Sequence, residues 1–242
     1  MGDLLGGCTD THYDAEVWAN LCRMPKEVIA IDGPAGAGKS TVAKAIAAKL
    51  GFTYLDTGAM YRAVALLATR AGIADAEGAG RIAAGMDLRF EPTPAGQRLF
   101  VNGEDVTGLI RTPEIGEAAS SISAYSEVRK PLVRRQRELI EAERIVLEGR
   151  DTTTVVCPEA KLKVFLTASV QERARRRFLE YAGNEGAPTL EEIEKSIAER
   201  DHRDSTRQDS PLRVAEDAVV VDTDSLSIEE VVETILTEWR KA

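Results

Sequence analysis

The residues best equipped for chemistry are Lys39 and Ser40. They end a run, Gly33-Pro34-Ala35-Gly36-Ala37-Gly38-Lys39-Ser40, that fits G-x-x-x-x-G-K-[ST] at every position. Without Cβ atoms at Gly33, Gly36 and Gly38, the backbone can curl around a phosphate and aim successive N–H groups at it from the positive end of a helix. Lys39 adds a full charge near the β- and γ-phosphates of a nucleotide, and the Ser40 hydroxyl is placed to meet Mg²⁺. Residues 33–41, ending in Thr41, are therefore expected to bind nucleotide phosphates. A merely flexible strand-to-helix turn needs one glycine and no Gly-Lys-Ser ending.

A phosphate loop serves switches, motors and kinases alike, so the reaction has to be read from the other charged residues. Arg62 begins a helix just after a short strand, Arg129 shares a predicted helix with Arg134, Arg135 and Arg137, and Arg150 follows a strand within Gly149-Arg150-Asp151. Open α/β sheets bind ligands at the carboxyl ends of their strands, which predicts that Arg62 and Arg150 face the same crevice as Lys39. Surface ion pairing is the alternative for both, and the stronger reading for Arg134, Arg135 and Arg137. Residues 171–213 hold eight arginines and ten acids. Alone, that balance describes solvated helices laced with i,i+3 and i,i+4 pairs. Beside a phosphate loop it describes phosphoryl transfer, because guanidinium forks match phosphoryl oxygens and stabilise a transferring group without proton chemistry. Arg200, Arg203 and Arg207 share one helical face and are expected to close together over the anion. Residues 181–188, with two glycines and a proline, read as the tip of a mobile lid that keeps water from the activated phosphate.

These side chains need a scaffold. Val28, Ile29 and Ile31 supply a buried strand ahead of the loop, while Val42, Ile46 and Leu50 recur on one face of the helix behind it, with Gly51 as its stop. Further short apolar strands are legible at residues 52–55, 145–147, 164–166 and 219–221, and a helix runs from Asp56 to a stop at Gly72. Such strands alternating with helices predict an α/β, three-layer fold around a five-stranded parallel sheet. Between residues 86 and 106 the pattern changes. Leu88 with Phe90, residues 99–101 and residues 104–106 read as three antiparallel strands, with Asn102-Gly103 as a tight turn and residues 92–96 as a looser one. Patterning leaves open whether this insert is a structural flap or covers substrate.

The 242 residues suffice for one main domain with insertions, and the net charge of −9 offers no basic surface to a nucleic-acid polymer. A small anion held locally is the expected partner. No apolar run approaches the roughly 18 residues of a membrane span. Three cysteines, Cys8, Cys22 and Cys157, with two histidines build no ordinary zinc site. A soluble monomer of a reducing cytoplasm is expected. Residues 1–26 carry Asp3, Asp10, Asp14 and Glu16 where a secretory signal wants Lys or Arg. They are expected to be an N-terminal extension, with Met24 as the natural start.

Several separate motifs then agree in order. Residues 32–41 (Asp-Gly-Pro-Ala-Gly-Ala-Gly-Lys-Ser-Thr), 56–62 (Asp-Thr-Gly-Ala-Met-Tyr-Arg), 149–151 (Gly-Arg-Asp), 154–160 (Thr-Val-Val-Cys-Pro-Glu-Ala) and 200–207 (Arg-Asp-His-Arg-Asp-Ser-Thr-Arg) resemble those of the bacterial cytidylate kinase family. The resemblance implies a nucleoside-monophosphate kinase fold. Its core would be residues 27–57 and 121–242, its monophosphate-binding domain 58–120 with the antiparallel insert, and its lid 173–207. It also implies transfer from ATP, with Mg²⁺, to CMP or dCMP, giving ADP and CDP or dCDP. By the same resemblance Ser120, Arg129 and Asp151 would contact cytosine, Arg62, Arg150 and Arg207 the acceptor phosphate, and Arg200 with Asp204 the sugar. Lys39, Arg150 and Arg207 would be the catalytic cations.

Chemistry supports the base contacts. Cytosine presents an amino donor and ring acceptors, which a carboxylate and an arginine complement. Uracil replaces the amino group by a carbonyl and would leave a buried carboxylate unpaired. Hydroxyls at Thr57 and Tyr61 are candidates for orienting the monophosphate, Tyr61 being equally readable as a half-buried helix aromatic.

One pair of residues departs from the family pattern, which commonly has an apolar residue and a glycine after Gly-Arg-Asp. Here Thr152 and Thr153 follow. A β-branched residue restricts the backbone, so if that glycine takes positive φ, this loop must adopt another shape, with consequences for Asp151. Asp32 is either a metal ligand or a holder of the loop. The acceptor is a phosphate oxygen already ionised at neutral pH, with a second pKa of about 6, so alignment and charge neutralisation are required and a general base is not. Kinases of UMP, AMP or a hydroxylated metabolite such as shikimate are the nearest rivals, although a hydroxyl acceptor asks for a positioned base that the chain does not advertise. A nucleotide-dependent switch is the rival from another class. It lacks support from any Asn-Lys-x-Asp signature and has little use for so many arginines near a lid.

Overall fold

Strand β1 (Val28–Asp32) is buried at all its positions, and its side chains divide between two cores as the two-residue period of a strand requires. In the computed structural model, which describes residues 27–93, 96–140, 144–181 and 186–242, β1 is the centre of a five-stranded parallel sheet. The other members are β2 (Thr53–Asp56), β6 (Ile145–Glu148), β7 (Leu162–Thr167) and β8 (Val219–Asp222), in the order β2-β6-β1-β7-β8. Ile29 and Ile31 pack with helix α1 (Lys39–Leu50) and the last helix, α8 (Ile228–Lys241), on one face. Val28 and Ala30 pack with Leu55, Leu147 and the Val133–Ile140 side of α5 (Ser126–Ile140) on the other. The parallel three-layer expectation is met.

Register brings the chemistry to one edge. Ile31 pairs with Glu148 and Asp56 also pairs with Glu148, so β1, β2 and β6 end together at their carboxyl ends. The chain leaves β2 directly into α2 (Thr57–Ala71), with the Asp56 side chain accepting from the Ala59 N–H as N-cap and Gly72 closing the helix in the left-handed region. A third core joins α2 to α3 (Ala76–Gly85), α4 (Pro113–Ile122), the start of α5 and the insert, through Met60, Val64, Leu99, Ile110 and Leu132 among others. Helices α6 (Val170–Glu180) and α7 (Leu190–Thr206) meet over a small core of Ala174, Ile193 and Ile197.

The insert is a three-stranded antiparallel sheet, β3 (Leu88–Thr93), β4 (Gly96–Val101) and β5 (Glu104–Asp105). Asn102 and Gly103 both have positive φ, as a type I′ hairpin turn requires. Two expectations need correction. Within the expected looser turn at 92–96, Pro92 pairs with Gln97 and Thr93 with Gly96 in the ladder, and residues 94 and 95 lie outside the described residues. Pro92 is tolerated there because β3 is an edge strand, where a missing N–H costs little. The third strand is also shorter than expected, with Val106 just past it and fully buried. The expected extension at residues 1–26 and residues 182–185 of the expected lid tip lie outside the described residues.

Candidate active site

The phosphate loop joins β1 to α1. Gly33 is dictated by packing as much as by ligand approach: a Cβ there would lie 2.0 Å from the Leu166 carbonyl oxygen of β7. Gly38 caps α1 at φ 87° with no side chain bonding the first turn, which leaves the helix's leading N–H groups to an anion. Lys39 is buried, and its Nζ donates to the Pro34 carbonyl at 2.7 Å. Burial and then the nearby Arg150 push its pKa down to about 7, against the opposing pull of Glu148, with Arg200 adding to the depression. Arg150 and Arg200 line the same cavity as Lys39.

Asp32 is a loop holder rather than a free metal ligand. It is fully buried, and both of its oxygens are taken by the two threonines that depart from the family pattern. Oδ1 accepts from the Thr152 N–H at 2.9 Å and hydroxyl at 2.7 Å, and Oδ2 from the Thr153 N–H at 2.7 Å and hydroxyl at 2.6 Å. Burial pushes the Asp32 carboxyl above the usual range, and the threonine bonds work against that rise. Residues Thr152–Val156 form a single π-helical turn without positive φ. The threonines are thus accommodated with no left-handed backbone, and Asp151 stays directed into the site.

A cavity of about 1110 Å³ opens at the carboxyl edge of the sheet. Residues 35–41 border it, as do Thr57, Tyr61, Arg62, Arg129, Arg150, Asp151, Arg200, Asp204 and Arg207, so the structure brings most of the expected residues together. On its wall Arg129 and Asp151 form a buried ion pair at 2.5 Å, with the Arg129 guanidinium also 5.3 Å from the Tyr61 ring centre. Burial alone would lower the Arg129 pKa, and the Asp151 charge overrides it to raise it. Arg207 lies within 4 Å of both Asp151 and Asp204, while Arg150 Nε donates to Asp204 at 2.9 Å. Burial and then Arg150 push Arg200 down to about 10. Burial would raise the Asp204 carboxyl, but Arg150, Arg200 and Arg207 together hold it below the usual range. Arg62 Nε, Arg129 Nε, Arg200 Nε and Arg207 Nη2 are buried without a hydrogen-bond partner among the described residues. Unpaired buried donors of this kind, all on cations around one cavity, are suited to an anionic ligand.

Three expected residues stand elsewhere. Gly33 and Pro34 lie behind the cavity wall, and so does Ser120, whose hydroxyl accepts from Arg203 Nε at 3.3 Å. Arg203 does not close over the anion with Arg200 and Arg207. It reaches to α4, where its guanidinium also pairs with Glu117 at 2.7 Å. Of the helical arginines read as surface groups, Arg135 pairs with Glu138 in the solvent, whereas Arg137 donates to the Val155 carbonyl at 2.6 Å.

Sequence reasoning missed other residues. Glu148 lines the cavity with Lys39 and accepts from the Tyr54 hydroxyl at 2.8 Å, and its place directly before Gly149-Arg150 at a strand's carboxyl end was a usable signal. The same strand-end rule points to residues 223–229 after β8, which line the cavity together with Arg176. Arg176 donates to the Thr223 hydroxyl at 3.0 Å. Arg173, counted among the phosphate-seeking arginines, is instead a pin: it donates to the Ala35 carbonyl at 3.1 Å, the Ala168 carbonyl at 2.9 Å and Asp201 at 2.6 Å. Arg111 lines the cavity as well and carries no sequence signal.

Comparison with known proteins agrees with this geometry. The sequence profile of the cytidylate kinase family matches residues 29–241. A cytidylate kinase from Carboxydothermus hydrogenoformans is 51% identical over 210 residues, covering 86% of this chain and 95% of that one. One from Shouchella clausii is 52% identical over 211 residues, covering 86% and 93%. Among solved structures, an uncharacterized protein from Eubacterium ventriosum shares the fold at TM-score 0.52 and 13% identity, covering 90% of this chain and 100% of that one. The chain, with its phosphate loop, its buried arginine–carboxylate pair and identities near one half to such relatives, belongs to the cytidylate kinase family.

Proposed function

We propose that the protein transfers the γ-phosphoryl group of ATP to CMP or dCMP, giving ADP and CDP or dCDP. The observation that carries this reading is the gathering of Lys39, Arg62, Arg150 and Arg207 on one cavity that also takes in the buried Arg129–Asp151 pair. The cations suit the place where donor and acceptor phosphates crowd negative charge, and the pair suits a polar base edge.

ATP phosphates lie against residues 35–41, with N–H groups from the start of α1 and Lys39 as their partners. The acceptor phosphate is held by Arg62, Arg150 and Arg207. Arg200 and Asp204 meet the sugar, and Arg129 with Asp151 reads cytosine. Thr57 already donates its hydroxyl to the Glu148 carbonyl at 2.7 Å, so it offers the ligand an oxygen acceptor and backbone rather than a free proton. Ser123 lines the cavity beside the cytosine end, and Ser120 reaches the base only when Arg203 releases its hydroxyl.

The residues present also fit Mg²⁺. Ser40 and Glu148 offer hard oxygen donors at the phosphate end, and among the described residues no group of three or more His, Cys, Asp or Glu forms a cage. An ion carried in by the nucleotide and steadied by the Ser40 hydroxyl suits that sparse set. When bound, Mg²⁺ supplies neutralisation of the β- and γ-phosphoryl oxygens. No side chain has to remove a proton, because the attacking oxygen is already ionised.

In this reading residues 27–57 and 121–242 are the core, 58–120 the monophosphate-binding domain and 173–207 the lid. Among the described residues no helix is long and apolar enough to cross a membrane. A cytoplasmic monomer with no nucleic-acid polymer as partner suits the acidic composition. The test is ADP formation from Mg-ATP with CMP, dCMP, UMP, AMP or no acceptor. Strong stimulation by CMP and dCMP with weak stimulation by UMP is expected. ATP hydrolysis that ignores every acceptor would instead favour a nucleotide-dependent switch.

A further inference from the structure

Asp56 stands at the carboxyl end of β2, and its Oδ1 accepts from the Ala59 N–H at 2.9 Å. Its Oδ2 serves two arginines, Arg62 Nη2 at 2.6 Å and Arg111 Nη2 at 3.3 Å. Arg62 comes from α2, whereas Arg111 ends a short 3₁₀ turn, Leu109–Arg111, that follows the antiparallel insert. Both arginines line the cavity, Arg62 with 20% of its side chain exposed and Arg111 with 47%. Gly58 makes the tight pairing possible, since a Cβ there would lie 3.1 Å from Arg62 Nη1 and 3.2 Å from Asp56 Oδ1. Burial pushes the Asp56 carboxyl up, and Arg62 and then Arg111 more than offset it, so the group stays charged.

One buried carboxylate therefore has two cationic partners, and the tighter of them is a proposed ligand of the acceptor phosphate. A dianionic phosphate competes with Asp56 for Arg62. Were Asp56 left alone by that competition, a buried charge without a partner would oppose substrate binding. Arg111 already touches the same oxygen, and its exposure leaves it free to close the remaining distance. We infer that Arg111 is a positioning residue for the acceptor phosphate, taking over Asp56 as Arg62 turns to the substrate. The inference rests on the proposed role of Arg62 and adds a residue from outside the motifs that carry that role.

The test is steady-state kinetics of Arg111→Gln, Arg111→Lys and Arg62→Gln, and of Arg111→Gln in an Asp56→Asn background, where asparagine still caps α2. Arg111→Gln is expected to raise the KM for CMP about ten- to hundredfold, the scale of one charge-assisted bond, while the KM for Mg-ATP stays at its native value. Arg111→Lys restores most of the loss by keeping a cation beside Asp56. In the Asp56→Asn background Arg111→Gln adds nothing, because no charge remains for it to hold. An unchanged KM for CMP in Arg111→Gln, together with a raised one in Arg62→Gln, overturns the inference and leaves the proposed function standing. Equal harm in both backgrounds overturns it too, since Arg111 would then act on the phosphate directly. If Arg62→Gln itself leaves CMP binding intact, the acceptor-site assignment fails, and the inference with it.

Discussion

The Thr153 hydroxyl lies 2.6 Å from the Asp32 carboxylate, tying the end of β1 to the turn that follows Gly149-Arg150-Asp151. Thr152 grips the other oxygen of the same carboxylate. The phosphate loop and the corner carrying Arg150 and Asp151 are thereby fixed to each other by four hydrogen bonds from two residues. A glycine at the second position would supply only its N–H.

Thr153→Val keeps the branched shape and removes one hydroxyl from a fully buried carboxylate. It is expected to lower the free energy of unfolding by about 1–3 kcal/mol, the cost of losing one hydrogen bond to a buried charge. Urea denaturation of the two proteins measures this. Equal midpoints and slopes would mean that the backbone N–H groups hold Asp32 unaided.

Lys39 makes nucleotide binding depend on pH. Its pKa in the folded protein is about 7, against an ordinary 10.5, because burial and then Arg150 disfavour its charge. Nucleotide phosphates restore that charge, so Mg-ATP binding above neutrality takes up a proton and weakens as pH rises. Calorimetry in buffers of different ionisation enthalpy reads the proton directly. The same shift acts on stability in a defined direction. Between the two values the unfolded chain holds the proton and the folded chain does not, so the ligand-free protein gains stability as pH rises through that window.

The Arg203–Glu117 pair joins α7 to α4 in a half-exposed setting, with 35% and 53% of the two side chains accessible. Exposed ion pairs contribute only about 0–1 kcal/mol, and screening by salt reduces that further. Glu117→Gln is expected to leave the melting temperature nearly unchanged. A large drop in a thermal melt would show that this contact carries more of the packing between α7 and α4 than its exposure allows.

The sheet was legible because each of its strands is a short apolar run bounded by helix or loop sequence, and the loop after β1 because glycine, lysine and serine have few other uses in that order. Arg150 and Arg62 followed from where strands end. Arg203 was misplaced for a physical reason. Residues spaced three and four apart share a face only roughly, and the helix ends at Thr206, so Arg200 looks into the cavity from α7 and Arg207 from the extended residue just past it, while Arg203 reaches α4. Asp32 could not be resolved from sequence because its partners are 120 residues away. Arg111 was invisible for the same reason, since its tie to Asp56 spans 55 residues and no local periodicity reports it. Arg173 looked like a phosphate ligand by type alone, yet two backbone carbonyls and Asp201 take its donors.

The most direct test of the central claim, that the Arg129–Asp151 pair reads cytosine, is the ratio of ADP formation with CMP to that with UMP, in the native protein and in Asp151→Asn. The carboxylate accepts from the cytosine amino group, where uracil instead presents a carbonyl oxygen that repels it, whereas an asparagine amide can turn to serve either. The account predicts a native ratio well above one that falls about ten- to hundredfold in the variant, through both slower CMP turnover and faster UMP turnover. A ratio unchanged by the substitution, with CMP and UMP rates lowered alike, would contradict it and leave Asp151 as a structural partner of Arg129.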